Sequence, residues 1–341
     1  MFLSNLHYLF ALLPYVSAAI IDSSLPTAQP RNIGHSPSAQ TIFQFDKVGT
    51  WLENIAVRPN GDLLVTLLLP NASLYTLKRP YSTTREFSLL HTFDEASGLL
   101  GITETDTDTY AVLSLQSSNT SASIPGSGIV WGVFLAHDNL NIRKIANIPD
   151  VMVPNGITSI PGSFAVLIAD SIGGSITRCD TRNGTCEIVL KGPETAPVSK
   201  LGINGIHYRE GYLYWSHSDL DTIFRIRVDG QGYPAANSKV EALGTVDAIF
   251  IDDFAIDDAG RFWIAANPNN SIVVLQRDGS SKVVAGSLTE LTVAGCTAAA
   301  FGRTIHDDRI LYVVTSGALQ APVNGTSEPA KIVAIDTSKC V

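Results

Sequence analysis

The stretch LGINGIHYREGYLYWSHSDLDTIFRIRVDG, residues 201–230, decides the fold. Asn204 follows a small-residue turn. Three short β-type runs come after it, parted by Arg209-Glu210-Gly211 and by Ser218-Asp219-Leu220-Asp221. Alternating apolar and polar positions over runs of this length read as half-buried strands. Variants of the unit recur at 51–77, 98–135, 155–180, 253–279 and 297–336. Their starts lie roughly 45 to 55 residues apart, the period of propeller blades and not of helical solenoids. No segment sustains an apolar stripe of helical period. The fold class is therefore all-β, a six-bladed β-propeller. Six blades need a closure, because an open ring exposes strand edges. The early run 41–48, TIFQFDKV, is spare and suits the outer strand of the sixth blade. Trp131, Trp215 and Trp263 fall inside strands and read as blade packing.

The chain has 341 residues, 45% hydrophobic and 16% charged, with 27 Gly and 17 Pro, the composition of a well-cored, turn-rich protein. A net charge of −9 with no basic block argues against nucleic acid and anionic membrane as partners. Residues 1–19, MFLSNLHYLFALLPYVSAA, carry an apolar core and end in Ser17-Ala18-Ala19, the pattern of a secretory signal peptide. No later run is long enough to span a bilayer. The division expected is thus signal peptide 1–19, extended arm 20–39 and one propeller domain 40–341, in a secreted or vesicular protein. Five glycosylation sequons, at Asn71, Asn119, Asn183, Asn269 and Asn324, fall at expected loops or hairpin tips. Cys179 and Cys186 flank an Asn183-Gly184 turn and are expected to pair across two strands. Cys296 and Cys340 either tie the C-terminus to the last blade or stay as free thiols.

In a propeller the first strand of each blade lines the central channel. The residues at the six strand starts are Glu53-Asn54, Gly98, Asn155, Asn204, Asp253 and Thr297. Carboxylate and amide oxygens without sulfur suit a hard divalent cation. Glu53, Asn155, Asn204 and Asp253 are therefore the candidate ligands for calcium or magnesium in the channel. The competing reading is that Asn and Asp simply cap turns at strand starts. Two long loops, 116–128 and 316–329, open on the same face and suggest a covered pocket. His217 and Asp219 follow the second strand of the fourth blade and are placed at the pocket mouth, with His217 as candidate acid/base. No zinc spacing, P-loop, dinucleotide motif or serine elbow occurs.

The segments WLENIAVRPNGDLLVTLL, SGLLGITE, VPNGI, LIADS, LGINGIHYREGYLYWS, DDFAIDDAGRFWIAAN, TAAAFGRT and APVNGTSEPAKIVAIDT span most of residues 40–338. In these the chain resembles the fungal secreted branch of the gluconolactonase/senescence-marker six-bladed propellers. The resemblance implies that Glu53, Asn155, Asn204 and Asp253 occupy the metal-holding positions of the metal-dependent lactonases. Glu53 is followed by Asn54-Ile55-Ala56 and not by the Gly-Pro of the hydrolases, which weighs against hydrolysis. The same branch includes the hetero-Diels–Alderases of tropolone–sesquiterpenoid biosynthesis, which join an ortho-quinone methide to a humulene-type alkene. That reading implies apolar small-molecule substrates, no required cofactor, and Glu53, Asn54, Asn204, His217 and Asp253 as catalytic candidates. The alternative is a calcium-dependent lactonase or esterase.

Overall fold

The structure is a computed structural model that describes residues 39–118, 123–135 and 139–340. The expected signal peptide 1–19, the expected arm up to residue 38 and the Asn119 sequon lie outside the described residues. Six four-stranded antiparallel sheets form the blades of the propeller. The inner strands are Trp51–Val57, Gly98–Asp106, Pro154–Ser159, Ile203–Arg209, Phe254–Ile256 and Cys296–Phe301. Each repeat read from sequence as three strands gains a fourth, outer one. In blades one to five these are Glu86–Thr92, Asn141–Asn147, Cys186–Lys191, Glu241–Thr245 and Ser281–Gly286.

The sixth sheet draws its outer strand from the other end of the chain: Ala39–Gln44 pairs antiparallel with Lys331–Asp336. This strand starts two residues before the expected 41–48 and stops at Gln44, where Phe45 N turns to donate to Ala330 O at 3.0 Å. Phe43 stacks on Phe87 of blade one, ring centroids 3.5 Å apart, and Phe45 meets Phe87 and Tyr75 edge-on. The aromatic cluster fastens the closing strand to the first blade as well as to the last.

The core lies between blades. Leu52, Ile55, Val57 and Leu63 of blade one pack against Ala298, Tyr312, Val314 and Ile332 of blade six. Trp215 and Trp263 are wholly buried and Trp131 is 8% exposed, as blade packing requires. Hydroxyls latch neighbouring blades at the axis. Thr66 Oγ1 donates to Leu100 O (2.7 Å), Ser171 Oγ to Ile203 O (2.6 Å), Ser216 Oγ to Asp252 O (2.6 Å) and Thr297 Oγ1 to Leu52 O (2.7 Å). Each such bond is worth about 1 kcal/mol and fixes one blade against the innermost stretch of the next.

Cys179 and Cys186 form the expected disulfide. Cys296 and Cys340 are buried, unpaired thiols within one apolar cluster, which corrects the idea of a C-terminal tie. Sγ of Cys296 instead donates to Ser271 O at 3.1 Å. Of the sequon asparagines, Asn71, Asn183 and Asn324 are exposed, while Asn269 is half-buried with its Oδ1 accepting from Ile249 N at 2.8 Å.

Candidate functional site

The inner strands do not run as regular strands at the channel mouth. Register shifts interrupt the pairing at Leu52/Asn54, Leu99/Ile102, Pro154/Ile157, Ile203/Ile206 and Cys296/Ala298. A bulge lets consecutive residues turn to one side, which strict alternation forbids. Adjacent polar residues therefore reach the axis together but at different depths. The glycines after Asn155 and Asn204 let the strands close up: a Cβ on Gly156 would lie 2.7 Å from Asn204 O, and one on Gly205 would lie 2.1 Å from Asp253 Oδ1. This is the physical meaning of the two Asn-Gly-Ile units.

The upper layer is a small pocket. Glu53, Asn155, Asn204 and Asp252 form its polar floor, and Trp51, Leu68, Leu100, Leu201 and Phe250 its walls. All four floor residues are buried. Glu53 accepts a hydrogen bond from its own strand's Trp51 Nε1. Burial raises the Glu53 pKa from 4.5 to about 7, against the pull of the Trp51 indole and helped by the charge on Asp253. Asp252 is pushed well above its ordinary value, first by burial and then by the charge of Glu53; the amides of Asn267 and Asn204 offset only part of this. Asn267 Nδ2 donates to Asp252 Oδ2 at 3.0 Å. Asn204 Nδ2 donates to Ser218 Oγ at 3.0 Å, whereas its buried Oδ1 has no partner among the described residues. The Asn155 side chain likewise has no hydrogen-bond partner among them.

Asp253 belongs to a second, deeper layer. Its Oδ2 accepts from Asn54 Nδ2 at 2.9 Å, across the axis from blade one. Its Oδ1 accepts from its neighbour Phe254 N and lies 2.7 Å from His207 Nε2. The expected ligand set thus needs one correction: Glu53, Asn155 and Asn204 meet as expected, but the carboxylate beside them is that of Asp252. Asp253 is held by Asn54 and His207 because blade five's inner strand starts only at Phe254, leaving both aspartates in irregular backbone. The sequence reading missed Asp252 and His207; the Asp252-Asp253 pair itself was the available signal.

His217 also needs correction. It is fully buried, not at the pocket mouth, with Nε2 2.9 Å from Ala196 O and Nδ1 unpartnered. Burial pushes its pKa down, so the ring stays neutral at neutral pH. Asp219 is likewise structural: its carboxylate accepts from the backbone N–H of Val198, Ser199, Lys200 and Leu201 and so fixes the loop that delivers Leu201 to the pocket wall.

A loop of blade six covers the pocket. Gln320 lines it, and Leu319 packs against the cluster of Trp51, Leu68 and Leu100 on the far side. The loop is rooted by Ala318 N donating to Ala294 O (3.0 Å) and by Val323 and Ala318 packing on Ala294. Beneath it the pocket measures about 30 Å³, room for water or an ion. Among the described residues no three His, Cys, Asp or Glu side chains are grouped to hold a metal. The floor offers two carboxylates and two carboxamides instead, all oxygen donors, with the Asn204 oxygen orphaned. That donor set fits a hard divalent cation.

No family model matches the chain. A curated Phoma sp. protein named "Putative hetero-Diels-Alderase" is 32% identical over 311 residues, 80% of this chain and 85% of the relative. A second of that description, from Sarocladium schorii, is 30% identical over 86% of this chain and 79% of the relative. The chain belongs to the hetero-Diels–Alderase family. Solved structures add the architecture on which this hetero-Diels–Alderase relative is built. A luciferin-regenerating enzyme superposes with a TM-score of 0.62 at 11% identity, covering 88% of this chain and 95% of its own. Regucalcin of Agrobacterium tumefaciens, described as calcium-binding, gives 0.59 at 14% identity, with coverage of 88% and 95%. A gluconolactonase-like structure gives 0.59 at 14%, with 88% and 92% covered. At these identities the likeness carries the fold alone.

Proposed function

We propose that the protein is a pericyclase that joins a tropolone-derived ortho-quinone methide to a humulene-type sesquiterpene and closes a dihydropyran ring. The observation that carries the reading, beside the family, is the pocket itself: apolar walls over a polar floor, with the uncommitted Asn155 carboxamide at its base. The reaction needs no nucleophile and no leaving group. The four-atom C=C–C=O unit of the quinone methide and the C=C of the alkene form one C–C and one C–O bond, and three π bonds become one. The protein's tasks are to hold the two partners in contact, worth several kcal/mol of barrier, and to polarise the carbonyl oxygen that gains electron density. Asn155, with no other side-chain partner among the described residues, would donate through Nδ2 to that oxygen, and the apolar walls would exclude water that quenches the quinone methide.

Two such partners need several hundred Å³, far more than the closed pocket provides. The loop bearing Leu319 and Gln320 therefore lifts to admit them. A hard divalent ion held by Glu53, Asn155, Asn204 and Asp252 would supply Lewis-acid polarisation of the same oxygen. The protein incubated with a quinone methide precursor and a humulene-type alkene should raise both rate and stereoselectivity. Asn155→Leu should lower the rate by about 10- to 100-fold. A product ratio identical to that without protein would sink the proposal.

The oxygen floor favours one second reading, a calcium-dependent lactonase or esterase. Under it, Asp252→Asn and chelation would each abolish turnover of a lactone panel; under the first, the panel is not turned over at all.

A further inference from the structure

We propose a second binding site, for a small planar organic anion of the aromatic carboxylate class, on the face opposite the channel mouth. The channel pocket lies at the starts of the inner strands; this cavity lies at their ends, where Arg209 closes one inner strand and Ile256 the next. It sits between blades four and five and measures about 450 Å³, within the range of small-molecule pockets.

Its chemistry is distinct from the rest of a chain of net charge −9. Three guanidiniums line it, those of Arg209, Arg225 and Arg277, together with one carboxylate, Glu210, whose side chain is 79% exposed. Two of the arginines are held in place. Arg225 donates Nε and Nη2 to Glu241 Oε2 at 3.0 and 2.7 Å and lies over the Tyr212 ring at 4.5 Å. Arg209 donates Nη1 to the backbone oxygen of Asp257 and pairs through Nε with Glu210 Oε1 at 3.3 Å, which leaves Arg277 as the lining cation not already paired. Arg277 has no hydrogen-bond or ion-pair partner among the described residues. It lies on Gly260, where a Cβ would come within 2.6 Å of Nη2. Gly260, at φ +74°, thus serves both a turn that a side chain resists and a berth for the guanidinium.

The walls are aromatic. Tyr212 and Tyr214 have ring centroids 6.2 Å apart, and Tyr214 and Phe262 5.7 Å. An unpaired planar fork selects a carboxylate by two parallel hydrogen bonds, and the rings beside it take a flat apolar body. A bare inorganic anion would leave those rings unused.

The test is a fluorescence titration of the intact protein with 2-naphthoate, alongside the uncharged 2-naphthamide. The expected result is saturable naphthoate binding, about tenfold or more weaker for the amide and for Arg277→Gln, and unchanged in Asn155→Leu. Arg277 is exposed, so its variant keeps the fold, which an unchanged Tm verifies. Absence of saturable binding, equal affinity for the amide, unaltered binding by Arg277→Gln, or loss of binding in Asn155→Leu would each overturn the proposal. None of these outcomes bears on the cycloaddition, which is read at the other face.

Discussion

Glu53 sits where its charge is least welcome: buried, one layer above Asp253 and beside Asp252. Its folded pKa of about 7 lies above the ordinary 4.5, so the native state holds a proton that the unfolded chain releases. The stabilising contribution of that proton is full below pH 4.5 and is lost as pH rises through 7. Glu53→Gln should therefore stabilise the protein at pH 8 by roughly 1–3 kcal/mol and differ little at pH 4.5. Thermal unfolding of both proteins across that range reads the difference directly. Calcium at pH 8 should raise the Tm of the wild type more than that of Glu53→Gln if the floor takes a cation. Much of this site was legible in the sequence. Glu53, Asn155 and Asn204 follow from the repeat register alone. Asp252 did not, because the choice between two adjacent aspartates depends on irregular backbone that no period describes. His217 was misplaced for a related reason: it is the last residue of Tyr212–His217 and turns into the blade instead of toward the axis.

At the scale of elements, the inner three strands of each blade were readable because they are buried. Leu63–Leu69 and Ala165–Asp170, for example, bury nearly every position. Most outer strands escaped because their signal is weak: Glu86–Thr92 and Glu241–Thr245 contain no buried residue at all, and Cys186–Lys191, equally unburied, was legible only through the Asn183-Gly184 turn and its cysteine pair. The 316–329 loop was legible as a pocket cover, but which side chains reach the pocket was not, so Leu319, Gln320 and Phe250 came to light only in the structure. The blade-six loop is an element whose role can be separated from stability. Leu319 is partly buried, so Leu319→Ala should cost no more than about 1 kcal/mol. It should nonetheless erode the stereoselectivity of the proposed cycloaddition, since this loop borders the pocket opposite the blade-two wall. Product chirality at matched conversion checks this; unchanged selectivity would leave the loop a passive cover.

At the scale of the whole molecule, ring closure rests on six residues. Removing Ala39–Gln44 strips the outer edge from Lys331–Asp336 and takes Phe43 off Phe87. Such a truncated protein should unfold at a lower temperature and self-associate through the bared strand, which light scattering during a thermal ramp detects. Stability equal to the full chain would show that the aromatic cluster and the blade-to-blade core suffice. The closing sheet also sets an order of events. During synthesis the segment 39–44 emerges among the first described residues, yet its partner strand 331–336 emerges almost last. Five blades can form while this edge is still single. In the finished fold Phe43 and Phe45 rest on Phe87 and Tyr75 of blade one, contacts that do not depend on the partner strand. The propeller is finished by its beginning.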